Sequence, residues 1–142
     1  MRLHEQRTVD RPQGEVFEYT ADFSHIDQWD PGVATSRKLG DEPLGVGSRF
    51  DVEARFGTST IPMVYEITVF EPNERVVLVG KGDTLEAVDE IRFQTEGGRT
   101  LIDYTADLTF HSWIRFVIPL MSPLLKRVGT RALDGLAAAL GR

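Results

Sequence analysis

The chain has 142 residues, no cysteine, and 22 acidic against 16 basic side chains, for a formal net charge of −6. Without cysteine there is no disulfide, thiol nucleophile or thiolate metal site, and a reducing cytoplasm is the default expectation. The acidic balance opposes a sequence-independent grip on phosphate backbones, so no nucleic-acid partner is expected. The length fits a single domain over 1–142, large enough to bury about 70% of its unfolded surface and so to hold both a core and a pocket.

Leu3 to Val9 has strand length. Asp10-Arg11-Pro12-Gln13 then reads as a helix start, with Asp10 able to cap, Gln13 able to reach back and Pro12 suited to the first turn. Val16, Phe17, Thr20 and Phe23 give that short helix its buried side. A second start follows at Ser24, with Asp27 three residues on, and Pro31-Gly32 closes this helix after Trp29-Asp30. The N-terminus carries no apolar run that could act as a secretory signal. The most apolar stretch, Trp113 to Leu125, is too short and too broken by proline to span a bilayer.

From Val33 to Phe110 the pattern alternates, and turn signals arrive at short intervals: Gly45-Val46-Gly47, Gly57-Thr58, Pro72-Asn73, Gly82-Asp83 and Gly97-Gly98. This predicts a meander of about six strands. If each of the last four turns is a two-residue loop, Val52 pairs with Met63, Ile67 with Leu78, Leu78 with Ala87, and Ala87 with Leu108, apolar against apolar throughout. The covered face then carries Phe50, Met63, Tyr65, Ile67, Val69, Leu78, Gly80, Ala87, Asp89, Tyr104, Ala106 and Leu108, while Arg49, Asp51, Glu53, Glu66, Glu86 and Glu90 face water.

Ser122 to Leu140 predicts a long amphipathic helix. Val128, Ala132, Leu136 and Leu140 form one row, flanked by Leu124, Leu125, Leu133 and Ala137, with Lys126, Arg127, Thr130, Arg131 and Asp134 on the opposite arc. Ser122 can cap its start, Pro123 fits the first position, and Gly141 marks the end. Its basic face reads as a solvated surface or as a patch for a partner or a membrane surface.

This order of elements carries specific wording: Val9-Asp10-Arg11-Pro12 followed by Val16-Phe17, Asp22-Phe23-Ser24 to Trp29, Leu44 to Phe50, Val69-Phe70-Glu71-Pro72, and Gly98-Arg99-Thr100. In these stretches the chain resembles the START-like (SRPBCC) superfamily, and within it the bacterial polyketide cyclase/dehydrase-like branch, over nearly its whole length. The resemblance implies the α+β helix-grip fold, a curved antiparallel sheet of about seven strands around a long C-terminal helix, with two short helices after the first strand. It also implies a hydrophobic or amphipathic small molecule, lipid- or polyketide-like, held between helix and sheet. The superfamily shares no catalytic motif, so the resemblance assigns no catalytic residue here, and fold alone does not give the activity.

The residues themselves nominate a few candidates. His4, His25 and His111 lie far apart with no helix-spaced pair, so neither a metal site nor any cofactor is expected. Gly45-Val46-Gly47 precedes a strand, which makes it a turn and not a phosphate loop. His25 could reach a pocket mouth as a general base or lie on the surface. Trp29 and Trp113 read as rings that close the core, with ligand contact as the alternative. Tyr65, placed across from Gly80, and Tyr104, across from Ile91, are polar-tipped rings on an apolar face, and a buried phenol needs a partner.

Asp89 is the one charged residue on the inward register from Phe50 to Phe110, and the turn lengths place it opposite Val76 and Ala106. Facing inward, a desolvated carboxyl would have a raised pKa and could act as ligand anchor or general acid/base with Tyr104, or hydrogen-bond a tyrosine in a purely structural role. A β-bulge between Asp83 and Asp89 would instead turn it out to solvent. Asp89 and Tyr104 are therefore the catalytic candidates, and the expected ligand wall is Tyr65, Asp89, Tyr104, Phe50, Met63, Leu78, Ala106, Leu108 and Leu125. Two functions fit: a binding module for an apolar metabolite, or a cyclase, aromatase or dehydratase-like enzyme in which a pocket group moves a proton beside a carbonyl. A small hydrophobic ligand is the expected partner, for a chain acting as a monomer or weak homodimer.

Overall fold

The computed structural model describes residues 1–111, 127 and 129–141. Seven strands, β1 (Arg2–Val9), β2 (Val33–Leu39), β3 (Arg49–Phe56), β4 (Ser59–Glu71), β5 (Arg75–Lys81), β6 (Leu85–Glu96) and β7 (Arg99–Phe110), form one antiparallel sheet in the order β1-β7-β6-β5-β4-β3-β2. Between β1 and β2, helix α1 (Gln13–Ala21), a 3-10 turn (Phe23–His25) and helix α2 (Ile26–Trp29) carry the chain from one edge of the sheet to the other. Helix α3, residues 129–139, packs across the sheet. This is the α+β helix-grip arrangement. No helix among the described residues is long and apolar enough to cross a membrane.

Of the four apolar pairings expected from turn lengths, Val52 with Met63, Ile67 with Leu78, and Ala87 with Leu108 occur. The fourth does not: Ala87 lies across from Gly80, and Leu78 across from Asp89. The connection from β5 to β6 explains the difference, because Lys81 pairs with Glu86 and the Gly82 N–H donates to the Leu85 carbonyl at 2.8 Å. That loop is two residues longer than a two-residue turn. A shift of two changes every partner but no face, so Asp89 still points inward, opposite Leu78 and not Val76.

The connection from β4 to β5 contains three residues between paired Glu71 and Arg75, with Asn73 at φ 67°. An odd loop alone would put the next strand's apolar side in water, and a bulge between Ile67 and Val69 restores it. Beyond the bulge Phe70 pairs with Val76 toward the core, while Val69 pairs with Val77 on the outer face. The inward assignment of Val69 is corrected accordingly.

The helix starts also differ in detail. Pro12, not Asp10, is the N-cap of α1, and no side chain caps it. Gln13 does not close a capping box. Its Nε2 donates to the Asn73 carbonyl at 2.5 Å and to the Phe93 carbonyl at 3.1 Å, and its Oε1 accepts from Thr95 Oγ1 at 2.6 Å. Three bonds to the β4–β5 connection and β6 outweigh one to the helix end. Asp22, not Ser24, caps the 3-10 turn, accepting from the Ser24 N–H at 3.0 Å and Oγ at 2.6 Å.

Val16, Phe17, Thr20 and Phe23 are buried as expected. Phe17 sits edge-on to Phe70 and Phe93, each at 5.2 Å between centroids, and Phe23 meets Phe50 at 6.2 Å and Tyr65 at 5.3 Å. These rings fill one part of the covered face of the sheet. On α3, Ala132, Leu133, Leu136, Ala137 and Leu140 are buried, whereas Arg127, Arg131 and Asp134 are exposed, so the apolar row read from helical spacing is the buried face. The start expected at Ser122-Pro123, together with Trp113, Leu124, Leu125, Lys126 and Val128, lies outside the described residues. Gly141, at φ 70°, ends the helix, and Arg11 Nε donates to the Leu140 carbonyl at 2.8 Å.

Gly135 fixes the depth at which α3 lies. A Cβ there would stand 1.9 Å from the Trp29 carbonyl oxygen, so only a residue without a side chain allows this approach.

Candidate functional site

Small residues leave space where the aromatic layer stops. Ala54 and Ala106 on the sheet and Gly129 and Ala132 on α3 cannot meet across the gap, and a cavity of about 170 Å³ remains between α3 and the sheet. Its other walls include Leu3 of β1, Ile26 of α2, Val33 of β2, Leu85 of β6 and Leu108 of β7. The lining is mostly apolar, and Asp30, Tyr65, Asp89 and Tyr104 all contribute to it.

Asp89 is 5% exposed and accepts a hydrogen bond at Oδ2 from the Tyr104 hydroxyl. Burial pushes its carboxyl up to about 7, opposed by the Tyr104 hydrogen bond and reinforced by the nearby charges of Asp30 and Asp107. The Tyr104 phenol is pushed well above 10, by burial first and then by Asp89. Near neutrality the tyrosine is therefore a fixed donor, and the aspartate is the group that gains and loses a proton.

Asp30 follows the last residue of α2. Its Oδ1 accepts from the Gly32 N–H at 2.8 Å, and burial raises its carboxyl to about 6 against that hydrogen bond. Tyr65 lies with its ring over Gly80, and its hydroxyl has no hydrogen-bond partner among the described residues. Burial pushes this phenol well above 10 as well, with Asp89 and Asp30 adding to the effect. Trp29 closes the layer behind, edge-on to Tyr104 at 6.4 Å, with its indole N–H buried and unpartnered among the described residues.

Of the expected ligand wall, Tyr65, Asp89, Tyr104, Ala106 and Leu108 come together around the cavity. Phe50, Met63 and Leu78 do not line it; they are buried in the core, where Phe23 packs on Phe50 and the aromatic layer occupies the adjacent space. Leu125 lies outside the described residues. His25 stacks on Tyr19 at 4.7 Å, with Nδ1 3.0 Å from the Tyr19 carbonyl oxygen, and takes no part in the lining.

Asp30 escaped the sequence reading because it sits at a helix end, where neither helical nor strand periodicity fixes a side chain's direction. The available signal was Asp30-Pro31-Gly32, the spacing of an Asx turn in which the carboxylate accepts the N–H two residues on. The space beside Gly80 is used by the Tyr65 ring. A Cβ on Gly80 would stand 2.6 Å from that ring, so Gly80→Ala is expected to displace it and to lower stability by roughly 1–3 kcal/mol, read as a fall in melting temperature.

A family model described as polyketide cyclase/dehydrase and lipid transport matches residues 1–141. No curated protein matches the sequence significantly. Among solved structures, TTHA0849 from Thermus thermophilus superposes with a TM-score of 0.84 at 17% identity, covering 99% of this chain and 97% of its own. The Zhui aromatase/cyclase from a Streptomyces species gives 0.79 at 14% identity, with 100% and 94% covered. A START superfamily protein from Mycobacterium smegmatis gives 0.73 at 17% identity, with 98% and 93% covered. At these identities the likeness is one of fold.

Proposed function

The chain belongs to the polyketide cyclase/dehydrase and lipid transport family, and from that premise we propose that it binds a hydrophobic or amphipathic small molecule, lipid- or polyketide-like, between α3 and the sheet. The observation that carries this reading is the cavity itself, an apolar enclosure into which only a few polar groups are built. A purely structural core at this position would be filled, because interiors pack to crystal-like density. The absence of cysteine fits the cytoplasmic location that belongs to the same proposal, as does a monomeric or weakly dimeric state.

Native mass spectrometry of the purified protein tests it. The expected result is a retained small molecule that is lost on denaturation and lost again in Ala106→Phe, which puts a ring into the cavity. A bare protein mass, together with no response of the cavity residues to small apolar probes, would overturn it.

A second reading, a cyclase, aromatase or dehydratase-like enzyme, is favoured by one observation. The Asp89 carboxyl titrates near neutrality while hydrogen-bonded to a phenol, as a general acid/base at that pH requires. On this reading Asp89→Asn and Tyr104→Phe abolish turnover but not binding, and the pH limb near 7 disappears. A binder shows no turnover to lose.

A further inference from the structure

The charged groups around the cavity are unbalanced. Glu5 is answered by Arg7 at 3.3 Å and by the Thr130 hydroxyl at 2.8 Å. Arg55 meets the rim, where its amide donates to the Gly32 carbonyl at 2.8 Å, and it is exposed on the outer strand face. Asp30 and Asp89 have no cation beside them among the described residues; their donors are the Gly32 N–H and the Tyr104 hydroxyl. Each therefore keeps one carboxylate oxygen without a donor among the described residues. A separate observation adds to this: the Tyr65 hydroxyl, in the same lining, has no partner among the described residues and can accept as well as donate.

Among the described residues, the uncommitted buried acceptors of this cavity thus outnumber its donors. Resting on the binding function proposed above, we infer that the cavity selects a ligand whose polar end is a protonated amine on an apolar body and rejects carboxylates and phosphates of similar shape. An ammonium group supplies three donors, as many as the uncommitted acceptors of Asp30, Asp89 and Tyr65. The faces of Tyr65 and Tyr104 also favour a cation. An anion would instead join two carboxyls that already repel one another, since Asp30 raises the pKa of Asp89.

The test uses 2-phenylethylamine, 2-phenylethanol and phenylacetate as probes, titrated at pH 8 and followed by NMR shifts of cavity residues. The amine is expected to bind, the alcohol to bind more weakly, and phenylacetate to bind more than roughly tenfold more weakly than the amine. Asp30→Asn and Asp89→Asn should each erode the amine's advantage, and the double variant should erase it while alcohol binding persists. Near pH 6, amine binding is expected to release protons from the two carboxyls, visible as a buffer-dependent heat. Phenylacetate binding as tightly as the amine, or an amine preference that survives in the double variant, overturns this inference and leaves the binding function standing. No response to any of the three overturns this inference, and the binding function falls with it only if the purified protein also shows a bare mass.

Discussion

Replacing Leu136 by aspartate is expected to abolish the cooperative folding transition. Leu136 is fully buried at the centre of the apolar face of α3, with Ala132, Leu133 and Ala137 beside it in the same core. Losing a buried leucine costs about 2–5 kcal/mol through transfer and cavity terms. The carboxylate adds several kcal/mol more, because it would enter a hydrophobic cluster with no ionic partner placed for it among the described residues. Domain stabilities are about 5–15 kcal/mol in total, so the sum is enough to unfold most domains. Circular dichroism and a thermal melt give the readout. Leu136→Met, which preserves volume, should cost less than about 1.5 kcal/mol, and Arg131→Asp, on the exposed face, should leave the melt nearly unchanged. A soluble Leu136→Asp protein with a normal transition would mean that a different face of the helix meets the sheet.

Asp89→Asn is expected to stabilise the protein at pH 8 and to do little at pH 4. The folded carboxyl is raised from its ordinary value of 3.8 to about 7, so between those limits the native state holds a proton that the unfolded chain has released. The stability tied to that proton is fully present below about 4, declines as pH rises toward 7, and is gone above it. Asp30 acts in the same direction over the window from 3.8 to about 6. Glu90 and Asp107, lowered first by hydrogen bonds from Arg75 and Arg2, act oppositely and lose their contribution in acid. The difference between wild type and Asp89→Asn isolates the one group. With about three pK units at 1.36 kcal/mol each, the gain at pH 8 is on the order of 4 kcal/mol. Asparagine keeps the shape and can still accept from Tyr104. Denaturant titrations of both proteins at pH 4 and pH 8 would falsify this if the variant were less stable at the higher pH.

The parts of this fold that could be read in advance are those governed by a repeating period. Alternation along β3 to β7 places Asp89, Tyr65 and Tyr104 on one side of the sheet, and parity protects that placement even though the β5–β6 loop is two residues longer than a two-residue turn. Helical spacing gave the buried face of α3. What escaped depends on single irregular events. The bulge at Thr68 exchanged Val69 for Phe70, and nothing in the local alternation announces it. Gln13 chose partners on the distant β4–β5 turn and on β6, a decision made by tertiary proximity. Asp30 belongs to the same class, being positioned by a turn. Phe50, Met63 and Leu78 have the right direction but the wrong neighbours: direction follows from sequence period, whereas the filling of space depends on where α1 and its aromatics come to rest.

The pairing of β1 with β7 has a kinetic consequence. Register runs from Arg2 opposite Asp107 to Val9 opposite Thr100, so the first of the seven strands meets the last, and among the described residues β7 is its only neighbour in the sheet. During synthesis β1 must wait, unpaired, while the rest of the sheet emerges. Ends so far apart must find each other before the loop-closure entropy is repaid, and such long-range pairing makes folding slow. Until it happens, the ladder groups of β7 that β1 later covers form an open edge, ready to accept a strand from another chain. In cells the hazard for this protein therefore falls late in folding, and factors that hold nascent chains apart should raise its soluble yield more than factors that act on the finished domain.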